Sequence, residues 1–241
     1  MQKFDVLIVG GGMVGLTLAL AIRKQTNLTI AIADTSPMME LTEQPEVRVS
    51  AINIASQQIF ENLDVWQAIN QQRAQAYQHM HIWDKAGYGQ LDFDVSDIAD
   101  VSETFESLGS EQLGWIIENK MIRNTLWKVA QEDEKITFFT EEALSNIGVG
   151  ESEVFASFTS QMPITAKLVV GADGANSWVR KQMNMPTAFR DYDHHAIVAT
   201  VQCTQGHQNT AWQVFLETGP LALLPLSAND SDKLCSIVWS T

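Results

Sequence analysis

Two glycine-bearing segments carry the residues whose types and spacing point to chemistry. The first runs from Gly10 to Gly15 and reads GGGMVG; the second runs from Gly171 to Arg180 and reads GADGANSWVR. Gly10, Gly12 and Gly15 fit the G-x-G-x-x-G spacing of a dinucleotide-binding turn between a strand and a helix. The first segment therefore predicts a pyrophosphate site.

Each position of that spacing has a physical task. Gly10 permits the tight turn out of the strand, Gly12 lets the backbone approach a pyrophosphate, and Gly15 lets the helix pack closely. The helix then begins near Met13 and Val14, where unpaired N–H groups and the positive end of the helix dipole favour phosphate. We therefore predict that these five residues bind the cofactor.

An acidic residue stands where the ribose of a dinucleotide is expected. An apolar run at 4–9 precedes the glycines, an apolar helical pattern follows them, and a second apolar run at 28–33 ends at Asp34. Asp34 lies 19 residues after Gly15, which suits a carboxylate that accepts hydrogen bonds from ribose hydroxyls. This pattern predicts a dinucleotide but leaves NAD and FAD equally open.

The second segment resembles a motif of the flavoprotein aromatic hydroxylases, the p-hydroxybenzoate hydroxylase-like group. The resemblance implies FAD, with Asp173 near its ribityl and pyrophosphate portion. The segment 48–53 resembles an Arg-bearing segment of the same group, and 114–119 with the following helix resembles another. These likenesses imply that Arg48 and Arg123 also contact the cofactor.

Further segments resemble one branch of that group, the bacterial ubiquinone-biosynthesis hydroxylases, and within it the 2-octaprenylphenol hydroxylases. They are spread along the whole chain, at 65–67, 82–85, 191–196, 219–226 and 235–240. The resemblance implies an FAD-dependent aromatic-ring monooxygenase that hydroxylates a polyprenylated phenol with NAD(P)H and O2. It also implies other ubiquinone-biosynthesis proteins as partners, and it assigns no catalytic side chain.

Three alternatives stay open. The ring position or the phenol can differ within the same group, and a truncated chain can act as a non-catalytic scaffold. A nicotinamide-dependent dehydrogenase would explain the residues from Gly10 to Asp34 but would leave Asp173 without a role.

Composition excludes some classes of protein. The 241 residues carry a net charge of −14, which disfavours nucleic-acid binding because that function needs a basic face. Cys203 and Cys235 lack the spacing of a metal or redox motif, so no metal site is expected. No apolar run is long enough to span a bilayer. We expect a cytoplasmic protein, with peripheral attachment to the inner membrane left open.

The pattern along the chain predicts an α/β fold with two interleaved lobes. A Rossmann-like, three-layer FAD-binding lobe is assigned to 1–75 and 105–185, and a mainly antiparallel β substrate lobe to 76–104 and 186–241. The interleaving follows from the family resemblance. Within these lobes we predict a helix over 57–69, a β-hairpin around 87–89, a loop over 95–112 and a helix from Asn119.

The family resemblance also implies a third cofactor motif, Gly-Asp-Ala-(Ala)-His, which these 241 residues lack. The substrate lobe is therefore expected to be incomplete at its C-terminal end. On its own, this chain is expected to bind FAD weakly or not at all and to hydroxylate nothing.

Overall fold

A computed structural model describes residues 1–99, 111–228 and 231–241. Its strands are β1 (Gln2–Val9), β2 (Ile30–Asp34), β3 (Val49–Asn53), β4 (Gln75–Tyr77), β5 (His79–Asp84), β6 (Gln90–Asp94), β7 (Gly114–Glu118), β8 (Ile136–Thr140), β9 (Leu144–Val149), β10 (Val154–Phe158), β11 (Ile164–Gly171), β12 (Ala196–Gln202), β13 (Thr210–Leu216), β14 (Gly219–Pro225) and β15 (Leu234–Ser240). Its helices are α1 (Met13–Gln25), α2 (Ile54–Asn62), α3 (Trp66–Asn70), α4 (Val95–Ala99), α5 (Asn119–Glu132) and α6 (Trp178–Gln182). No helix within the described ranges has the length and apolar character needed to cross a lipid bilayer.

The chain divides into two compact units. The first contains residues 1–40 and 122–189, and the second contains 41–121 and 190–241. By compactness, 41–75 and 111–121 thus belong with the second unit, whereas the sequence grouped them with the cofactor lobe. The predicted lobes divide the chain by function, which a division by compactness does not test. The boundary at 104/105 also lies outside the described residues, so the predicted boundaries stay a prediction.

The first unit is built on a six-stranded sheet in the order β8-β2-β1-β11-β10-β9. The four strands from β8 to β11 are parallel, and β10 and β9 extend the sheet in antiparallel fashion. This mixed sheet confirms the predicted Rossmann-like α/β class. Because the parallel strands end at one edge, it places the loops after β1, β2 and β11 together.

Helix α1 packs on this sheet through small and apolar residues. Gly15, Leu16, Ala19 and Leu20 are its buried positions, as the i, i+1, i+4, i+5 spacing of a helical stripe requires. In α5 the Trp127 ring lies 4.6 Å from that of Phe138 on β8. The buried stripe fixes the helix that follows the first glycine segment, and the ring contact packs α5 on β8.

The second unit contains a six-stranded sheet in the order β12-β15-β14-β13-β5-β6 and a three-stranded sheet in the order β3-β7-β4. The larger sheet is antiparallel except where β13 runs parallel to β5. A core of Tyr77, Ile116, Ala211 and Leu226 joins the two sheets. The predicted mainly antiparallel architecture of this part is confirmed.

Several local predictions are confirmed and one is wrong. Strands β5 and β6 form the predicted hairpin, and α5 begins at Asn119. The helix predicted over 57–69 is instead two helices, because the chain turns at Asp64 with a positive φ of 60°. The predicted loop over 95–112 contains α4 at its start, and its residues 100–110 lie outside the described residues.

Candidate cofactor site

The two glycine segments meet at the carboxyl ends of neighbouring parallel strands. Val9 pairs with Gly171, and the backbone N–H of Ala172 donates to the Val9 carbonyl at 2.7 Å. Gly10 has a φ of +111°, and a Cβ added there would lie 2.3 Å from the Ala172 carbonyl oxygen. Only glycine fits this position, since the left-handed conformation and the close approach both exclude a side chain.

Gly12 and Gly15 differ sharply in their surroundings. A Cβ on Gly15 would lie 2.0 Å from the Gly10 carbonyl oxygen, so Gly15 permits close packing inside the protein. A Cβ on Gly12 would meet nothing within 4 Å, so Gly12 borders open space. Gly12 is the N-cap residue of α1 and has no side chain to cap the first-turn N–H groups of Met13 and Val14. Val14 is 74% exposed.

Gly11, which the sequence did not single out, is held on three sides. Its N–H donates to Asp34 Oδ2 at 2.6 Å, and its carbonyl accepts from Arg123 Nε at 2.7 Å. A Cβ on Gly11 would lie 2.7 Å from the Trp127 ring. No pattern in the sequence pointed to Gly11, because its partners Arg123 and Trp127 lie more than a hundred residues away along the chain.

Arg123 binds the protein's own backbone. Besides Gly11, Nη1 donates to the Pro37 carbonyl at 2.9 Å and Nη2 to the Ser36 carbonyl at 3.2 Å. The guanidinium lies 4.5 Å over the Trp127 ring and 3.9 Å from Asp34 Oδ2. Burial lowers the pKa of Arg123, whereas the Asp34 carboxylate acts to raise it. Arg123 thus braces the loops after β1 and β2, and its contact with the cofactor stays a prediction.

Asp34 lies at the predicted point, where β2 ends. Its Oδ1 accepts from the Ser36 N–H at 2.7 Å, and its Oδ2 from Gly11. A carboxylate has about four acceptor positions, so both oxygens can still accept from another donor. The predicted ribose contact stays a prediction.

Asp173 shapes the turn that begins α6. Its carboxylate accepts from Ser177 Oγ at 2.6 Å, from the Trp178 N–H at 2.6 Å and from the Val179 N–H at 3.1 Å. Burial acts to raise the pKa of Asp173, but these hydrogen bonds outweigh it, and the pKa lies below its ordinary value. Asp173 is therefore an anion at neutral pH that orders this loop, with Gly174 next to it at a φ of +82°.

A cavity of about 510 Å³ joins the two glycine segments. Gly10, Gly12 and Asp34 line it from one side and Asp173, Gly174 and Trp178 from the other. Thr35, Glu142, Ala143 and Leu144 also line this cavity. A second cavity of about 530 Å³ shares Asp173 and Gly174 and has a mostly apolar wall that includes Leu168, Val169 and Met185.

Comparison with known proteins identifies the family. The family described as the FAD binding domain matches residues 3–240. The chain belongs to this family. The cavity of about 510 Å³ fits FAD, because Gly12 offers open space beside uncapped helix N–H groups and Asp34 offers a carboxylate at the end of β2.

Curated relatives of this chain are identical to it at about 30% of positions. It is 31% identical over 256 residues to the ubiquinone biosynthesis monooxygenase COQ6, mitochondrial, of Danio rerio, covering 100% of this chain and 50% of the relative. It is 30% identical over 239 residues to the 3-demethoxyubiquinol 3-hydroxylase of Escherichia coli, covering 99% and 57%. The chain thus spans about half the length of the curated relatives it matches.

Solved structures share the fold of the FAD-binding chain. PqsL from Pseudomonas aeruginosa, in complex with 2-aminobenzoylacetate, superposes with a TM-score of 0.79 at 14% identity, covering 99% of this chain and 61% of that one. The p-nitrophenol 4-monooxygenase PnpA from Pseudomonas putida superposes with a TM-score of 0.78 at 15% identity, covering 100% and 58%. At this identity the likeness concerns architecture alone.

Arg48, the remaining predicted site residue, belongs to the second unit. It immediately precedes β3, and its side chain is exposed. Its carbonyl accepts from the Asn119 N–H at 3.0 Å, which ties the start of β3 to the start of α5. Its contact with the cofactor stays a prediction.

Proposed function

We propose that the protein carrying this chain is an FAD-dependent aromatic-ring monooxygenase of ubiquinone biosynthesis. Its substrate is a polyprenylated phenol, and it uses NAD(P)H and O2. The observation that carries the proposal is the cavity at the ends of β1 and β11, where an open Gly12 faces the Asp173 loop. The two relatives named above for ubiquinone biosynthesis and for ubiquinol hydroxylation support the choice of pathway and substrate.

The residues of this chain have binding and orienting tasks in the proposed reaction. FAD, when bound, supplies hydride acceptance and the activation of oxygen. Gly12 and the N–H groups of Met13 and Val14 bind its pyrophosphate, and Asp34 binds its ribose. Arg123 and Trp127 hold Gly11 so that the turn needs no rearrangement when the anion binds.

Asp173 has a second task in this proposal. Its carboxylate is fixed by three donors from its own loop, so it presents a rigid wall beside the pyrophosphate. Because the carboxylate stays ionised, it can accept a hydrogen bond but cannot release a proton at neutral pH. The proposal therefore assigns Asp173 to orientation of the cofactor and leaves no acid–base step to it.

The cofactor assignment is tested by purifying the protein that contains this chain and identifying what it releases on denaturation. We expect a yellow protein that releases FAD. A colourless protein that releases NAD would contradict the proposal and would support the dehydrogenase alternative.

The substrate assignment needs a separate measurement. Cells that lack the protein should accumulate a prenylated phenol without its next ring hydroxyl, as detected by mass spectrometry of lipid extracts. Ubiquinone at its normal level, with no redundant hydroxylase present, would count against the pathway. The Escherichia coli relative is named for hydroxylation at position 3 of a demethoxyubiquinol. The second candidate function is therefore hydroxylation of such a quinol, at another ring position, in place of the phenol.

The location follows from the proposed substrate. A polyprenyl tail partitions into the bilayer, so we propose a cytoplasmic protein that works at the surface of the inner membrane. Fractionation of cells should recover part of it with membranes and release it with high salt. Recovery only after the membrane is dissolved would contradict peripheral attachment.

A further inference from the structure

Strand β6 forms one edge of the six-stranded sheet in the second unit. On its inner side it pairs with β5, from His79 opposite Asp94 to Trp83 opposite Gln90. Among the described residues, no strand pairs with its outer side. An unpaired strand of this kind presents a row of backbone donors and acceptors to another chain.

The backbone groups that face outward can be identified from the ladder. The Asp84 N–H donates to the Gly89 carbonyl and the Val95 N–H to the Gln78 carbonyl. Hydrogen-bonded pairs alternate along an antiparallel ladder, so Leu91 and Phe93 bond inward to β5. The N–H and C=O groups of Gln90 and Asp92 therefore point away from the sheet.

The side chains of β6 alternate between apolar and acidic. Leu91 is 59% exposed and Phe93 is 43% exposed, and both lie on the face that they share with Ile82 and Met80. Asp92 and Asp94 lie on the opposite face, beside His81 and His79. An additional strand with apolar residues on one side would cover Leu91 and Phe93. Its remaining side chains would lie on the opposite face, beside Asp92 and Asp94.

The charge on β6 determines which strand can pair with its open edge. The Asp94 carboxylate already accepts from the Ser96 N–H and Oγ and contacts His79 Nδ1 at 2.5 Å. Asp92 contacts His81 Nδ1 through Oδ1, yet its side chain is 62% exposed. Asp92 is therefore the acidic group that an incoming strand meets.

A second copy of this chain is a poor occupant of the edge. An antiparallel pairing of β6 with itself that is centred on Asp92 or on Phe93 sets Asp92 opposite Asp92 or Asp94 of the other strand, and one centred on Leu91 sets it opposite Gln90, which carries no charge to pair with it. Like charges directly opposite one another destabilise a pair of strands. A strand with lysine or arginine at that position gains where a second copy loses.

We propose that β6 binds an extended segment of another protein as an additional strand, in which basic residues alternate with branched apolar residues. The backbone of Gln90 and Asp92 supplies the hydrogen bonds, Asp92 pairs with the basic residue, and Leu91 and Phe93 contact the apolar ones. This interaction is independent of the proposed flavin chemistry, so either can fail without the other.

The test uses a fluorescein-labelled peptide of alternating lysine and valine, about seven residues long so that it matches the strand length. Its anisotropy is followed as the protein is added. Two control peptides carry glutamate in place of lysine or N-methyl groups on alternate backbone amides. We expect only the lysine–valine peptide to bind. The proposal would be overturned if this peptide did not bind, or if an N-methylated control bound equally well.

Two pairs of variants separate strand addition from attraction to an acidic protein. Asp92→Asn should weaken binding by about two- to fivefold, the value of one cross-strand charge pair. Glu151→Gln removes the same charge from an exposed residue of the first unit and should change nothing. If Asp92→Asn and Glu151→Gln weakened binding equally, the effect would come from net charge alone and the proposal would be overturned.

The second pair addresses the backbone. Gln90→Pro removes one outward N–H without a change in charge, and proline is tolerated on an edge strand when its N–H side faces solvent. It should weaken binding by about three- to tenfold, the value of one hydrogen bond, whereas Gln90→Ala should bind as the unaltered protein does. Melting curves of all four variants check that each remains folded. Unchanged binding by a folded Gln90→Pro variant would overturn the proposal.

Discussion

The glycines of the first segment have different tasks: Gly10 and Gly15 serve the packing of the protein, and Gly12 serves the predicted cofactor site. Gly10 and Gly15 each leave room for another part of the backbone, whereas Gly12 leaves room for something outside the protein. Their stability and binding effects should therefore separate, although the three stand within six residues of one another.

Gly12→Val should leave the melting temperature nearly unchanged, because its Cβ enters open space at an ordinary φ of −81°. The same change should abolish most FAD binding, since the side chain occupies the approach of the pyrophosphate. Gly15→Val should instead destabilise the fold by more than about 3 kcal/mol through its clash with Gly10. Flavin extraction and thermal melting measure the two effects, and FAD retained by Gly12→Val at the original level would refute the assignment.

Arg123 and Arg48 form a second contrast among single residues. Arg123→Met leaves the carbonyls of Gly11, Ser36 and Pro37 without their donor and should cost about 2–4 kcal/mol in the free energy of unfolding. Arg48→Met, at an exposed position, should change stability by less than about 0.5 kcal/mol but weaken FAD binding if the predicted contact exists. Urea unfolding monitored by circular dichroism measures both. An Arg123→Met variant as stable as the unaltered protein would contradict the bracing role.

At the scale of elements, the parallel part of the first sheet was predictable and the strands of the three-stranded sheet in the second unit were not. Apolar runs such as 4–9 and 28–33, bounded by glycine or an acid, specify buried strands. Strand β7 has five buried residues, Gly114–Glu118, and leads directly into α5, so periodicity cannot separate it from the start of the helix. The turn at Asp64 was also missed, since an aspartate takes the left-handed position that glycine usually holds after a helix, where the Asp64 N–H donates to the Glu61 carbonyl and the Val65 N–H to the Phe60 carbonyl.

The same distinction holds for the candidate site. The fingerprint glycines and Asp34 could be found from spacing, because they lie at or just after the ends of β1 and β2, whereas Asp173 followed from the family resemblance of its segment. The brace around Gly11 could not, since it depends on a side chain more than a hundred residues away in sequence. Contacts of that kind follow from the order of strands in the sheet.

Asp5 ties three elements of the first unit together and should make their stability depend on pH. Its carboxylate contacts Lys167 Nζ on β11 at 2.8 Å and accepts from the Thr29 N–H and Oγ1, both at 2.9 Å, just before β2. The hydrogen bonds from Lys167 and Thr29 lower the pKa of Asp5 from 3.8 to about 2. Ionised Asp5 therefore stabilises the fold at neutral pH, and this contribution is lost as the pH falls from about 4 through about 2.

Asp5→Asn should consequently lower the free energy of unfolding at pH 7 by less than about 1 kcal/mol, because Lys167 is exposed and solvent screens the pair. The difference from the unaltered protein should shrink between about pH 4 and pH 2. Denaturant unfolding at a series of pH values measures it, with Glu151→Gln as the exposed control. A difference that stays constant down to pH 2 would contradict the assignment.

At the scale of the whole molecule, both units are assembled from two separated segments of chain. The first unit needs residues 1–40 and 122–189, and α5 begins among the residues of the second unit and continues into the first. Cutting the chain in the middle therefore divides both cores.

Residues 1–121 alone should not fold. They contain β1 and β2 but neither β8 nor β11, so the parallel sheet loses the strands on both of its sides. A pair of strands without further partners is at best marginally stable in water. Circular dichroism and proton NMR dispersion of the isolated segment measure this, and a cooperative unfolding transition in it would contradict the division into units.

The pairing of β1 with β11 has a consequence for synthesis on the ribosome. Leu7 pairs with Val169, so β11 leaves the ribosome 162 residues after β1. At about 5–20 residues per second, the apolar strand from Val6 to Val9 waits roughly 8–32 s for that partner. During this interval it is a target for chaperones and a site of aggregation, and codons that slow translation between the two strands would lengthen the exposure.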